Sequence, residues 1–254
     1  MNKKEIIRKI TEKKEFSQLP ERDVLIAFEK FDKIKYSDEE KIKLTRDLLR
    51  KVFSAFTSKK LLLPKNKDEE WILKKHLSTR ERLIYYGEIY SRIIGNNSTV
   101  IDLGAGINGF SYKYFEKLKL NVNYIAVEAV GQLVNLMNSY FEKNNFDARA
   151  FHLSLFDLEE IKKLILKEKK PRIVFLLKTI DSLEMMERDY SRKLLNELSR
   201  ISDKIVISFA TRSMIKRKKF MVNRKWIMDF VKNNFNTLDQ FETGDEKYIV
   251  FSKK

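Results

Sequence analysis

Val100-Ile101-Asp102-Leu103-Gly104-Ala105-Gly106-Ile107-Asn108-Gly109 is the stretch that decides the fold. An apolar, β-rich run reaches a carboxylate and then breaks into closely spaced glycines, the pattern of a strand entering a tight turn. That strand is expected at 99–103, and similar apolar runs follow at 122–127, 148–153, 173–177 and 205–209. Helical periodicity lies between most of them, as at 132–143 and 190–199. Strands alternating with helices predict a parallel sheet with right-handed crossovers. The end differs: 237–243, Gly244-Asp245 and 247–252 read as a hairpin, so an antiparallel strand is expected to finish the sheet.

Open α/β sheets bind ligands beyond the carboxyl ends of their strands, near the point where strand order reverses. Gly104, Gly106 and Gly109 also match the dinucleotide spacing G-x-G-x-x-G. Two features argue for another ligand. The motif lies a third of the way along the chain, behind a helical stretch, and Asp102 directly precedes it. The form D-L-G-x-G is the S-adenosylmethionine signature, with the acid reaching the methionyl amino group. Glu128, 22 residues after Gly106, ends the second strand and is placed to accept from both ribose hydroxyls. A dinucleotide site or an empty Rossmann-like fold are the alternatives. The expected fold is therefore α/β: a class I S-adenosylmethionine-dependent methyltransferase, Rossmann-like, with a mostly parallel seven-stranded sheet. A terminal antiparallel hairpin closes it and a helical N-terminal domain precedes it.

The 254 residues carry 52 Lys and Arg against 36 Asp and Glu, a net charge of +16. Such a balance favours polyanionic partners, most often nucleic acid, although a lysine-rich proteome gives the same composition. The charge clusters. From Thr211 to Lys225 there are seven basic side chains and no acid. Residues 1–75 hold 21 basic and 14 acidic side chains and read as helical. Ser37-Asp38-Glu39-Glu40 forms an S-x-x-E capping box there. Residues 1–75 are thus expected to be a basic, helical docking extension, separate from the cofactor site, and 76–254 the methyltransferase domain. No apolar run approaches the roughly 18 residues of a membrane span, and MNKKEIIRKITEKKEF has no signal-peptide core. A cytoplasmic monomer is expected.

The absence of Cys excludes disulfides, thiolate metal sites and covalent attack on pyrimidine C6. No His, Asp and Glu cluster has metal-ligand spacing, so no metal is expected. After the fourth strand stands Lys178-Thr179-Ile180-Asp181, not the (D/N/S)-P-P-(Y/F/W) box of exocyclic amine methylation. A ring nitrogen such as guanine N7 has a free lone pair and needs no general base, so positioning alone can serve.

Four stretches then resemble one family, the aminoglycoside-resistance 16S ribosomal RNA (guanine-N7) methyltransferases. His76-Leu77-Ser78-Thr79-Arg80-Glu81-Arg82-Leu83 resembles its H-x-S-T-(R/K)-E-R-(L/I) segment. Leu176-Leu177-Lys178-Thr179-Ile180-Asp181-Ser182-Leu183-Glu184 is similar to L-L-K-T-L-x-x-L-E, and Val206-Ile207-Ser208-Phe209-Ala210-Thr211-Arg212-Ser213 to V-V-S-F-P-T-(R/K)-S. The glycine loop is the fourth. Two departures stand out: Ala105 and Gly109 replace the family's Cys and Pro. Ile215 to Met221 replaces its Gly-rich loop, though Arg217 and Met221 keep its spacing. The resemblance implies methylation of guanine N7 in the decoding site of 16S rRNA, on the assembled 30S subunit, with aminoglycoside resistance as a consequence. A different rRNA base, a small molecule or a protein is the alternative substrate.

The resemblance also implies site residues. Arg80 or Arg82 meets the carboxylate of S-adenosyl-L-methionine. Asp102, Gly104, Gly106, Asn108 and Glu128 hold its other end. Leu155 and Phe156 sandwich the adenine or pack in the core, and Asp157 accepts from the adenine amino group. Lys178 stands beside the methyl donor and, with Arg212, positions the target. Arg212, Lys216, Arg217, Lys218, Lys219 and Met221 contact RNA. Ser78 and Glu81 read equally well as a capping box for a helix at 83–94.

Overall fold

The computed structural model describes residues 1–32, 35–53, 67–211 and 224–254. Three helices open the chain: α1 (Lys3–Thr11), α2 (Glu21–Asp32) and α3 (Asp38–Phe53). The capping box at the start of α3 is formed. Ser37 Oγ accepts from the Glu40 amide at 3.3 Å, and Glu40 accepts from the Ser37 amide at 2.9 Å. Each helix turns a stripe of apolar residues inward, for example Val24, Ala27 and Phe28 of α2 and Ile42, Leu49 and Val52 of α3. Three short helices follow, α4 (Glu69–Leu73), α5 (Leu77–Arg82) and α6 (Tyr86–Ile93).

The remainder alternates as the sequence pattern requires. It runs β1 (Ser98–Leu103), α7 (Lys113–Lys117), β2 (Val122–Glu128), α8 (Gly131–Asn144), β3 (Ala148–His152) and α9 (Leu158–Lys167). It continues through β4 (Arg172–Leu177), α10 (Ile180–Met186), α11 (Tyr190–Ser199), β5 (Lys204–Ala210), α12 (Lys225–Asn234), β6 (Phe235–Thr243) and β7 (Glu246–Lys253). The seven strands lie in the order β3-β2-β1-β4-β5-β7-β6. β1 to β5 pair in parallel, while β7 is antiparallel to both β5 and β6. The hairpin read from the sequence thus inserts its second strand beside β5 and leaves β6 at the edge. β1, β4 and β5 are buried almost throughout, as expected of parallel strands covered by helices.

The helix before β1 differs from the sequence expectation of one capped helix over 83–94. The first helical turn begins at Leu77, with His76 at its N-cap position and no side-chain cap bond, and a break separates α5 from α6. The physical reason is competition for the side chains. Glu81 accepts from Lys178 Nζ at 2.9 Å instead of reaching back to Ser78, and Thr79 Oγ1 donates to the Leu73 carbonyl at 2.5 Å. None of the helices among the described residues is long and apolar enough to cross a membrane.

Candidate active site

Strand order reverses between β1 and β4, and a cleft of about 840 Å³, partly open to solvent, lies beyond their carboxyl ends. The loop after β1 forms its floor. Gly104 is left-handed at φ +74°, and a Cβ there would meet Thr179 Cγ2 at 2.9 Å, so only glycine lets the loop run this close to β4. At Gly109 a Cβ would meet Met137 Sδ and Phe141 Cζ, both at 2.8 Å, which fixes how closely the loop seats on α8.

Three buried carboxylates face this loop. Asp102 Oδ2 accepts from Tyr124 Oη at 2.6 Å and Asn108 Nδ2 at 2.7 Å. Glu128 accepts from the Gly106 amide at 2.8 Å and the Val130 amide at 2.9 Å, one bond to each oxygen. Burial pushes the pKa of both acids up despite these donors. A carboxylate has about four lone-pair sites, so each retains acceptor capacity toward the cleft. The third acid, Asp23 of α2, is 1% exposed and was not anticipated. Burial pushes its pKa up to about 7, against the Ser154 hydrogen bond and with help from Asp157 and Glu128.

Two cations, Arg82 and Lys178, also line the cleft. Arg82 is 3% exposed and grips Glu246 with two bonds, Nε at 2.9 Å and Nη2 at 3.0 Å, while Nη1 donates to Asn108 Oδ1 at 3.3 Å. Lys178, in a left-handed conformation at φ +57°, lies 2.9 Å from Glu81 and 3.3 Å from Glu246. Ser208 also donates to Glu246. Burial alone would raise the Glu246 pKa, but Arg82 and Lys178 hold it below the usual carboxylate range. His76 also lines the cleft, and burial pushes its pKa down to about 4, so it is neutral at pH 7.

The structure brings Arg82, Asp102, Gly104, Asn108, Glu128, Leu155, Phe156 and Lys178 to the cleft. Gly106 contributes its amide to Glu128. Arg80 is exposed and does not line the cleft, and Arg82 does. Asp157 is also absent from the lining; its carboxylate lies 3.3 Å from Arg22. Phe156 is packed against Tyr190, ring centroids 4.6 Å apart, so it lines the cleft from the core. Arg212, Lys216, Arg217, Lys218, Lys219 and Met221 lie outside the described residues. Two buried acids escaped sequence reasoning, Asp23 in the cleft lining and Glu246 bonded to Arg82. Glu246 sits just after a turn, and Asp23 reads as an ordinary first-turn acid favoured by the helix dipole. From the extension, Asp23, Val52 and Phe53 line the cleft as well.

A sheet of this order, with its glycine turn and carboxylates at the switch point, is the class I methyltransferase fold. The chain belongs to the ribosomal RNA methyltransferase (FmrO) family, whose model matches residues 68–249. Among curated proteins it is 23% identical over 196 residues to the 16S rRNA (guanine(1405)-N(7))-methyltransferase of Proteus mirabilis. That match covers 72% of this chain and 64% of the relative's length. Two solved structures share the fold. The 16S rRNA methyltransferase RmtF, in complex with S-adenosyl-L-homocysteine, has a TM-score of 0.80 at 19% identity, covering 100% of both chains. The 16S rRNA methylase RmtB has a TM-score of 0.79 at 17% identity, covering 100% of this chain and 99% of that one.

Glu246→Ala leaves the Arg82 guanidinium buried without its partner, and urea unfolding is expected to show a loss of about 3–5 kcal/mol. The paired replacement Arg82→Met with Glu246→Leu should recover most of it, because removing both charges avoids the unpaired cation. Asp23 gives a pH signature. Its folded pKa is raised, so the folded state holds a proton that the unfolded state has lost between about 4 and about 7. Its contribution is present below pH 4 and disappears as pH rises through 7. Asp23→Asn should therefore flatten the fall in stability across that window, and parallel wild-type and variant curves would refute a buried, reluctant carboxylate.

Proposed function

We propose that this chain transfers a methyl group from S-adenosyl-L-methionine to N7 of a guanine in the decoding site of 16S rRNA, acting on the 30S subunit. The observation that carries the reading is the family match over residues 68–249, joined to a cleft with cofactor-type acids at the switch point. The names of the curated relative and of the two solved structures support 16S rRNA as substrate. The residues fit the cofactor. Gly104 lets the loop close against Thr179, and Asp102 and Glu128 keep acceptor sites for an amino group and ribose hydroxyls. Arg82 has guanidinium N–H groups beyond the three that Glu246 and Asn108 occupy, suited to a carboxylate. When bound, the cofactor supplies an electrophilic methyl on a sulfonium.

The chain's own task is then alignment. Guanine N7 presents its lone pair without losing a proton, so no general base is required, and holding nucleophile and methyl in line provides the acceleration. Lys178 and Arg212 are the positioning residues in this reading, and Lys178 is fixed by Glu81 and Glu246. The basic stretch at 211–225 and the extension dock the rRNA. Aminoglycoside resistance follows if the decoding-site guanine is the target.

Labelled methyl transfer tests this directly: 30S subunits are expected to be labelled, and 50S subunits are not. Mapping should place the label at guanine N7. Labelling of neither subunit would turn the reading toward a small molecule or protein. Glu128→Ala should weaken cofactor binding by about 1.5–3 kcal/mol, the loss of a charged hydrogen bond, read by calorimetry.

Lys216, Arg217, Lys218 and Lys219 give a second test. If they neutralise phosphates, 30S affinity falls steeply with salt through counterion release. Replacing all four by Ala should flatten that slope and leave cofactor affinity unchanged. An unchanged slope in a folded variant would remove the stretch from the RNA interface.

A further inference from the structure

We propose that Asp23, from the helical extension, accepts a hydrogen bond from the adenine amino group of the cofactor, so that the extension completes the cofactor site. The proposal rests on the cofactor reading above. Asp23 is 1% exposed, lines the cleft, and has an Oδ2 with no hydrogen-bond partner among the described residues. An orphaned buried acceptor costs about 1–3 kcal/mol unless something satisfies it. The side chain is held at the end of the cleft where β3 finishes. Ser154, three residues ahead of Asp157, lies near enough to its carboxyl to lower the pKa, and Ser154 Oγ accepts from the Phe156 amide at 3.1 Å. Leu155 and Phe156 line the cleft beside it. Those positions follow the third strand, where the sequence places the adenine.

The acceptor expected there was Asp157, but its carboxylate pairs with Arg22 and does not line the cleft. Arg22 and Asp23 are neighbours on α2. The helix thus draws one acid away from the cleft and delivers another into it. Its approach is anchored independently. The Gly131 amide donates to the Gln18 carbonyl at 3.2 Å, and Gln132 Nε2 donates to the Lys14 carbonyl at 3.2 Å. Oδ2 of Asp23 thus lacks a donor among the described residues. An adenine amino group supplies that donor, and binding then ties α2 to the loop after β3.

The test compares S-adenosylhomocysteine with its 6-deamino analogue, which carries hydrogen in place of the amino group, by calorimetric titration. Wild type should bind the analogue about tenfold to a hundredfold more weakly, the range for a charged hydrogen bond. Asp23→Ala should bind both alike, and Asp157→Ala should keep the wild-type preference. The proposal is overturned if wild type shows no preference, if Asp23→Ala retains it, or if Asp157→Ala abolishes it. Asp23→Leu, closer in volume, repeats the comparison should the alanine variant not fold. Amide hydrogen exchange on the unaltered protein gives a second readout. S-adenosylhomocysteine should slow exchange across residues 21–32 more than the analogue does, and equal slowing overturns the proposal. If wild type binds neither S-adenosylmethionine nor S-adenosylhomocysteine, the cofactor reading itself fails, and this proposal with it.

Discussion

The two-bond ion pair between Arg82 and Glu246 joins residues 164 positions apart and buries both almost completely. Two charges out of water are tolerable only when geometry is good and the remaining donors and acceptors are met. The geometry is good, and further partners meet part of the rest. Nη1 of Arg82 reaches Asn108, and Ser208 and Lys178 complete Glu246. Glu246 begins β7 opposite Ala210 of β5, so the pair fixes the last hairpin to the helical segment that precedes β1. Arg82 of this pair also lines the cleft.

From this pair a buried polar chain runs to the cofactor loop. Arg82 and Tyr86 donate to Asn108 Oδ1, and Asn108 Nδ2 donates to Asp102, which Tyr124 also holds. Asn108 therefore orients both a cation and a carboxylate, with each end of its amide occupied. The charges divide accordingly. Glu246 is held ionised by its cations, whereas Asp23, Asp102 and Glu128 are pushed toward the neutral form by burial. A ligand bearing donors and positive charge would relieve the second group, since neighbouring positive charge favours the ionised carboxylate.

Local signals carried the strands and the glycine turn into the sequence reading because each depends on residues close in the chain. Apolar runs marked β1 to β5, and Gly244-Asp245 marked the hairpin. Residues whose role depends on distant contacts were not legible. Glu81 has the spacing of a cap, yet Lys178, 97 residues away, takes it. Asp157 stands in the expected place after β3, but Arg22 turns its carboxylate aside. Arg80 and Arg82 are equivalent in the motif; only the position of Glu246 and Asn108 separates them. Once α5 forms, Arg82 is buried and Arg80 is exposed.

The extension illustrates the same point at a larger scale. Its basic composition and its distance from the β/α pattern suggested an appendage with a task of its own. In space, Asp23, Val52 and Phe53 lie across the cleft from Gly104 and Asn108. Basic side chains such as Lys9, Lys43 and Arg46 line a separate groove on the outer side of α1 and α3. The same three helices thus contribute Asp23, Val52 and Phe53 to the cleft and a mixed-charge set that includes Glu12 and Glu39 to the second groove. The loop between α1 and α2 bonds to the start of α8, where the Gly131 amide and the Gln132 side chain donate to the Gln18 and Lys14 carbonyls, so the layer is seated on the sheet domain next to the helix that brings Asp23 into the cleft.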